Sequence, residues 1–104
     1  MFSIVKRDGS RSEFELGKIS GAIVKAFDAT QVQYNQDIID LLVLRVTADM
    51  QGKVKAGEIQ VEEIQDSVEK VLEQAGYAEA AKAFILYRKQ REKMRNMKST
   101  ILDY

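Results

Sequence analysis

Ile4-Val5-Lys6-Arg7-Asp8-Gly9 is the stretch on which the reading of this chain turns. Phe2, Ile4 and Lys6 alternate with Ser3, Val5 and Arg7, the period of a β-strand. Arg11 to Leu16 alternates again, with Phe14 and Leu16 on one face. Bringing Phe2 and Ile4 onto the same face as Phe14 and Leu16 needs an odd-length connection, roughly Asp8-Gly9-Ser10. A strict two-residue loop would turn Glu13 and Glu15 into the core. The spacing therefore predicts a hairpin with a bulged turn, in which Gly9 supplies the positive backbone dihedral.

Helical spacing takes over beyond the hairpin. Ile19, Ala22, Ile23, Ala26 and Phe27 predict a first helix from Gly17 to about Phe27, followed by a polar loop from Asp28 to Gln36. A second helix runs from near Asp37, its N-cap, and stops before Gly52; Ile39, Val43 and Leu44 widen its apolar stripe, so it is expected to be the most buried. Glu58-Ile59-Gln60 reads as a short edge strand after the loop from Gly52 to Gly57. The third helix, Val61 to Ala75, places Ile64, Val68, Val71 and Leu72 on one face and ends at Gly76. The fourth, from Tyr77 or Ala78 to about Met97, opens with small Ala78, Ala80, Ala81 and Ala83 and then becomes basic and aromatic.

A chain of 104 residues with 45% hydrophobic residues makes one compact domain without room for a separate catalytic one. There is no Cys and no His, which excludes disulfides, thiolate metal sites and imidazole acid–base chemistry, and leaves a reducing cytoplasm as the simple reading. Apolar runs are too short to span a bilayer, and no basic-then-apolar leader pattern opens the chain. Net charge is zero, but its distribution is uneven: residues 28–79 hold eleven acids against four bases, and the two ends hold five against twelve.

Those end cations are the candidates for chemistry. Lys6 and Arg7 leave a strand on opposite faces, so they share a ligand only around the strand end, where backbone N–H groups also point outward. Lys18 sits in the first turn of the first helix, where the dipole disfavours a cation and a bound phosphate would reverse the sign. Lys82, Arg88 and Arg91 fall near one side of the last helix with Phe84 and Tyr87 among them. A solvated turn and a solvated helix face would look the same residue by residue. Neither the Gly-x-x-x-x-Gly-Lys-Ser/Thr loop nor the Gly-x-Gly-x-x-Gly fingerprint occurs, and Glu62, Glu63 and Asp66 read as a helix cap rather than catalytic carboxylates.

Taken in order, Val5-Lys6-Arg7-Asp8-Gly9, Phe14, Lys18-Ile19, Val61-Glu62-Glu63-Ile64-Gln65-Asp66, Ala75-Gly76-Tyr77 and Ala81-Lys82-Ala83-Phe84-Ile85-Leu86-Tyr87-Arg88 resemble an ATP-cone over residues 2 to about 95. The tail, with Asn96-Met97-Lys98-Ser99-Thr100, resembles the passage from such a cone into the catalytic domain of anaerobic, glycyl-radical ribonucleoside-triphosphate reductases. The resemblance implies an α+β fold, a four-helix bundle capped by a small three-stranded sheet made of the hairpin and one short strand. It implies an allosteric sensor in which ATP permits ribonucleotide reduction and dATP, carried with Mg²⁺, stops it through subunit association. Lys6, Arg7 and Lys18 match the family's phosphate contacts; Ile4 and Val5 would line the base side, with Lys82, Tyr87, Arg88 and Arg91 as contacts from the last helix. Gln60 departs from the Ser or Thr that often caps the third helix.

The resulting expectation is a nucleotide-binding regulatory domain over 1–95 with no catalytic or metal-ligating residue of its own. Residues 96–104 would begin the linker to a catalytic domain in the same cytoplasmic, homo-oligomeric parent enzyme, with no membrane or nucleic-acid partner. The competing readings are the sensor of a repressor of reductase genes, which would carry a Cys-rich ribbon ahead of the cone, and a helical module that binds nucleic acid through its basic last helix.

Overall fold

The computed structural model describes residues 3–6 and 8–102. Its elements follow as β1 (Ser3–Val5), β2 (Arg11–Glu13), α1 (Leu16–Thr30), α2 (Gln36–Gln51), β3 (Glu58–Gln60), α3 (Val61–Gln74) and α4 (Ala78–Leu102). The fold is α+β, with the sheet ordered β2-β1-β3. Ile4 lies opposite Ser12 in the antiparallel pair and opposite Ile59 in the parallel one, so all three share a face. Ile59 is buried, and Ile4 and Phe14 pack against the core beside it. The helices close a ring in which α1 and α3 each touch both α2 and α4.

The hairpin connection has the odd length the pattern demands, but its centre lies one residue earlier than expected. Lys6 N–H donates to the Ser10 carbonyl at 2.8 Å, and Gly9, at φ 87°, donates to the Lys6 carbonyl at 2.9 Å. Asp8 braces the turn by accepting from the Ser10 hydroxyl at 2.6 Å and its N–H at 2.9 Å, which holds its carboxyl below the usual range.

Local chemistry moves four other boundaries. β2 ends at Glu13, and Leu16 opens α1 half-exposed instead of facing the core from a strand, because the chain turns into the helix after an extended Glu15. α1 runs on to Thr30, whose hydroxyl donates to the Ala26 carbonyl, and stops where Gln31 adopts the left-handed conformation. Asn35, not Asp37, caps α2: its side chain accepts from Ile38 N–H at 2.9 Å, and Asp37 falls in the first turn. α4 continues past Met97 to Leu102. At the start of α3, Glu63 reaches back to accept from Gln60 N–H at 3.1 Å, the capping role read for the acids there, whereas Asp66 pairs with Arg88 at 3.0 Å.

α1 buries Ile19, Ile23, Ala26 and Phe27; α2 buries Ile39, Leu42, Val43, Val46 and Met50 but leaves Leu41 and Leu44 facing outward. Between α2 and α3 sits one fully buried polar group, Ser67, which donates to Asp49 at 2.7 Å and accepts from Lys53 at 2.9 Å. Ala80 and Ala81 are buried at the start of α4, where their small side chains let neighbouring elements approach closely.

Candidate functional site

A cleft of about 650 Å³ opens between the hairpin, α1, α3 and α4. Each helix contributes one stripe at helical spacing: Lys18, Ala22 and Lys25 from α1, Ile64, Gln65 and Val68 from α3, and Phe84, Tyr87, Arg88 and Arg91 from α4. Ile19, Ile64, Val68 and Phe84 give it an apolar floor, continuous with the core. Lys6, Lys18, Lys25, Arg88, Lys89 and Arg91 surround that floor, against Glu15 and Glu69 as the acids on its wall. A chain of zero net charge thus concentrates cations around one concavity.

The cations are held with different firmness. Lys18 pairs with Glu15 at 3.8 Å with both side chains largely exposed, a contact that water screens and a ligand can displace. No acid occupies the first turn of α1, and Glu15 at its N-cap makes no side-chain hydrogen bond to the free N–H groups there. Arg88 is the opposite case: it is mostly buried and pairs with Asp66 at 3.0 Å and with Glu69. Burial opposes its charge, but the hydrogen bonds it donates to Glu69 and Asp66 outweigh that and raise its pKa, keeping the guanidinium charged. Between them, Lys25 and Arg91 lie 5.5 and 5.8 Å from the Tyr87 ring centroid, within cation–π range.

Of the residues singled out from sequence, Ile4, Lys6, Lys18, Tyr87, Arg88 and Arg91 line this one cleft. Val5 leaves β1 on the opposite face from Ile4, and Lys82 stands outside the cleft with Glu79 3.7 Å away. Arg7 lies outside the described residues. Lys25, Gln65 and Lys89 join the wall without having been anticipated. Lys25 carried a usable signal, since it follows Lys18 by two helical turns on the same face.

Chemically, the arrangement suits an organic polyanion, with cations for the charge and an apolar and aromatic floor for a flat ring. No group of three acidic, His or Cys side chains among the described residues could hold a metal ion by itself. No described helix is long and apolar enough to cross a membrane.

The chain is thus an α+β domain with a cation-rimmed cleft. The ATP cone domain model matches residues 2–93, and the chain belongs to the ATP-cone family. It is 42% identical over 91% of its length to the ribonucleoside-diphosphate reductase subunit alpha of Chlamydia pneumoniae, of which it covers 10%. It is 35% identical over 96% of its length to the anaerobic ribonucleoside-triphosphate reductase of Haemophilus influenzae, of which it covers 14%. A vitamin B12-dependent ribonucleoside-diphosphate reductase of Mycobacterium tuberculosis is 32% identical over 92% of this chain, which covers 13% of that protein. The chain thus spans about a tenth to a seventh of these relatives.

Proposed function

We propose that this domain senses ATP against dATP and regulates a ribonucleotide reductase of which it is a part. The observation that carries the reading is the cation-rimmed cleft with its apolar floor, in a chain of the ATP-cone family. In this reading Lys6 and Lys18, with Arg7, take the triphosphate at the hairpin and the start of α1. Ile4 and the α4 aromatics enclose the base, with Lys25, Arg88 and Arg91 along the far wall. Mg²⁺ would arrive with the phosphates and keep several of its waters, and Glu15 and Glu69 are the wall carboxylates that could join that shell to neutralise charge on the phosphates. Ser12 and Gln65 are uncharged hydrogen-bonding side chains on the wall, suited to a ribose hydroxyl.

The output is a change of assembly in the parent enzyme. Two nucleotides that differ by one hydroxyl act differently only if they bind two assembly states with different free energies, and a coupling of about 1–3 kcal/mol is typical. A single hydroxyl, by leaving a buried partner satisfied or not, reaches that size. Support for a reductase parent comes from the kinds of relative found. Within that class the tail, with Asn96-Met97-Lys98-Ser99-Thr100, points to the anaerobic kind, and the relatives include anaerobic and other reductases alike. The absence of a membrane-length helix among the described residues fits a cytoplasmic enzyme.

Calorimetric titration of the chain with ATP, dATP and a short oligonucleotide is the test of binding. Saturable binding of both nucleotides is expected. Silence toward nucleotides with salt-sensitive oligonucleotide binding would replace the sensor with a nucleic-acid module. Sedimentation of the full-length parent in ATP and in dATP tests the output, and identical profiles would remove assembly from the reading.

A further inference from the structure

Arg88 stands apart from the other cations of the cleft. Its side chain is 19% exposed against 70% for Lys18, and one nitrogen, Nη1, donates to Asp66 at 3.0 Å and also to Glu69. Both acids belong to α3, so the guanidinium ties α4 to α3 at the wall of the cleft. Glu69 is 23% exposed and lines that wall too; a phosphate brought to Arg88 would also be brought to a half-buried carboxylate, and the two would repel. Gln65 stands one residue before Asp66 and one helical turn before Glu69, so the turn of α3 that Arg88 grips is the one that carries Gln65, and Tyr87 adjoins Arg88 on α4. Gln65 has no side-chain partner among the described residues, so its place in the cleft is set by where α3 lies. On its other side α3 is held to α2 through Ser67, which donates to Asp49 and accepts from Lys53. That leaves the gap between α3 and α4, the one Arg88 spans, to set the width of the cleft.

We infer that Arg88 is a positioning residue: by gripping Asp66 and Glu69 it fixes the α3 wall relative to Phe84 and Tyr87 on α4, and it touches no phosphate of the bound nucleotide. The inference rests on the proposed nucleotide reading and divides the cations of the cleft by role. Lys6 is exposed, and Lys18 is held by a screened pair at 3.8 Å, so both can turn to a polyphosphate. Arg88 cannot do so without giving up its bonds to two carboxylates, which exchanges one anion for another and leaves Glu69 unpaired within the wall. Its planar fork suits the task, since it holds two acids one helical turn apart, where an ammonium would act as a point charge. The part of the cleft that holds the base therefore depends on Arg88, and the part that holds the phosphates does not.

Adenosine, which has the base and ribose but no phosphate, separates the two roles. Its affinity and that of ATP are read by amide-shift titration of the 104-residue chain as wild type, Arg88→Gln, Glu69→Gln and the double variant. Mg²⁺ is omitted so that Glu69 has no metal shell to join. Val46→Ala, a destabilising change in the α2 core away from the cleft, is the control. Each single cleft variant should weaken adenosine about fivefold, and the double variant no more than either, because both remove one shared link. Val46→Ala should leave adenosine affinity unchanged. Thermal melts set a temperature at which every variant is folded, and Arg88→Lys, with the same loss expected, replaces Arg88→Gln if that variant does not fold. Adenosine affinity left unchanged by Arg88→Gln would overturn the inference, and a loss confined to ATP would make Arg88 a phosphate ligand. Additive losses in the double variant, or an equal loss in Val46→Ala, would overturn it as well. So would a wild-type chain that binds ATP but not adenosine, since no base wall would then need bracing. Silence of the wild-type chain toward both ligands would instead overturn the nucleotide reading, and this inference with it.

Discussion

Lys6 stands exposed at the end of β1, where its ammonium adds little to the fold and, in the proposed function, a good deal to binding. Lys6→Ala should therefore weaken triphosphate binding about 10- to 100-fold, the value of one hydrogen bond to a charged group. The melting temperature without nucleotide should stay within about 2 °C. Calorimetry beside a thermal melt checks both, and matched losses would make Lys6 a structural residue. Ser67 is the reverse case, a wholly buried hydroxyl that links Asp49 to Lys53. Ser67→Ala leaves both charged partners one bond short and should cost about 1–3 kcal/mol in denaturant unfolding. Asp49 also carries a pH signature. The hydrogen bond from Lys70, then that from Ser67, lower its pKa in the folded state. Its contribution is therefore present above the unfolded carboxylate pKa and is lost as the pH falls through the depressed folded value, below about 4. Asp49→Asn should flatten the fall of melting temperature on acidification; an unchanged acid limb would deny Asp49 that role.

Elements were legible where one periodicity ran without interruption. The alternation of Phe2 to Arg7 and the helical stripes of α1, α3 and α4 gave the right element types in the right order. Boundaries were harder because competing local bonds decide them. Asp37 and Asn35 are both competent caps, and the winner is the one whose oxygen meets Ile38 N–H. Leu16 continued an alternating pattern but was taken by the helix, and nothing in a period-two count reveals that. Likewise the polar run after Phe27 concealed another turn of α1, which Gln31 ends in a left-handed conformation that Gly adopts more easily. Gln31→Gly should therefore stabilise the domain by about 1 kcal/mol, visible as a melting temperature raised by about 4–8 °C. A lower melting temperature would mean that the Gln31 side chain matters to the end of α1.

At the scale of the whole molecule, part of the candidate site was legible because it is local in sequence. Lys6 and Lys18 belong to the hairpin motif and the helix that follows it, and a single stretch of chain brings them to the same mouth. Lys25 could have been read from its spacing to Lys18 on α1, but Gln65 and Lys89 lie on two further helix faces that meet it only after the bundle closes, so no linear motif could assemble them. Charge tells a similar story: the surplus of cations at the two ends of the chain was visible as composition. That α1 and α4 pack side by side, turning this surplus into one rim, is a property of the fold. The exposed ridge on α2 was hidden for the opposite reason, since a wide apolar stripe reads as deeper burial until the bundle shows how much of it faces out. In the proposed function the space between hairpin and bundle is a nucleotide pocket. Amide chemical-shift mapping of the isotope-labelled chain titrated with dATP tests it most directly. Saturable shifts should gather at Lys6, Lys18, Lys25, Gln65 and Tyr87 and spare Leu41 and Leu44; no shifts at millimolar nucleotide, or shifts confined to α2, would contradict it.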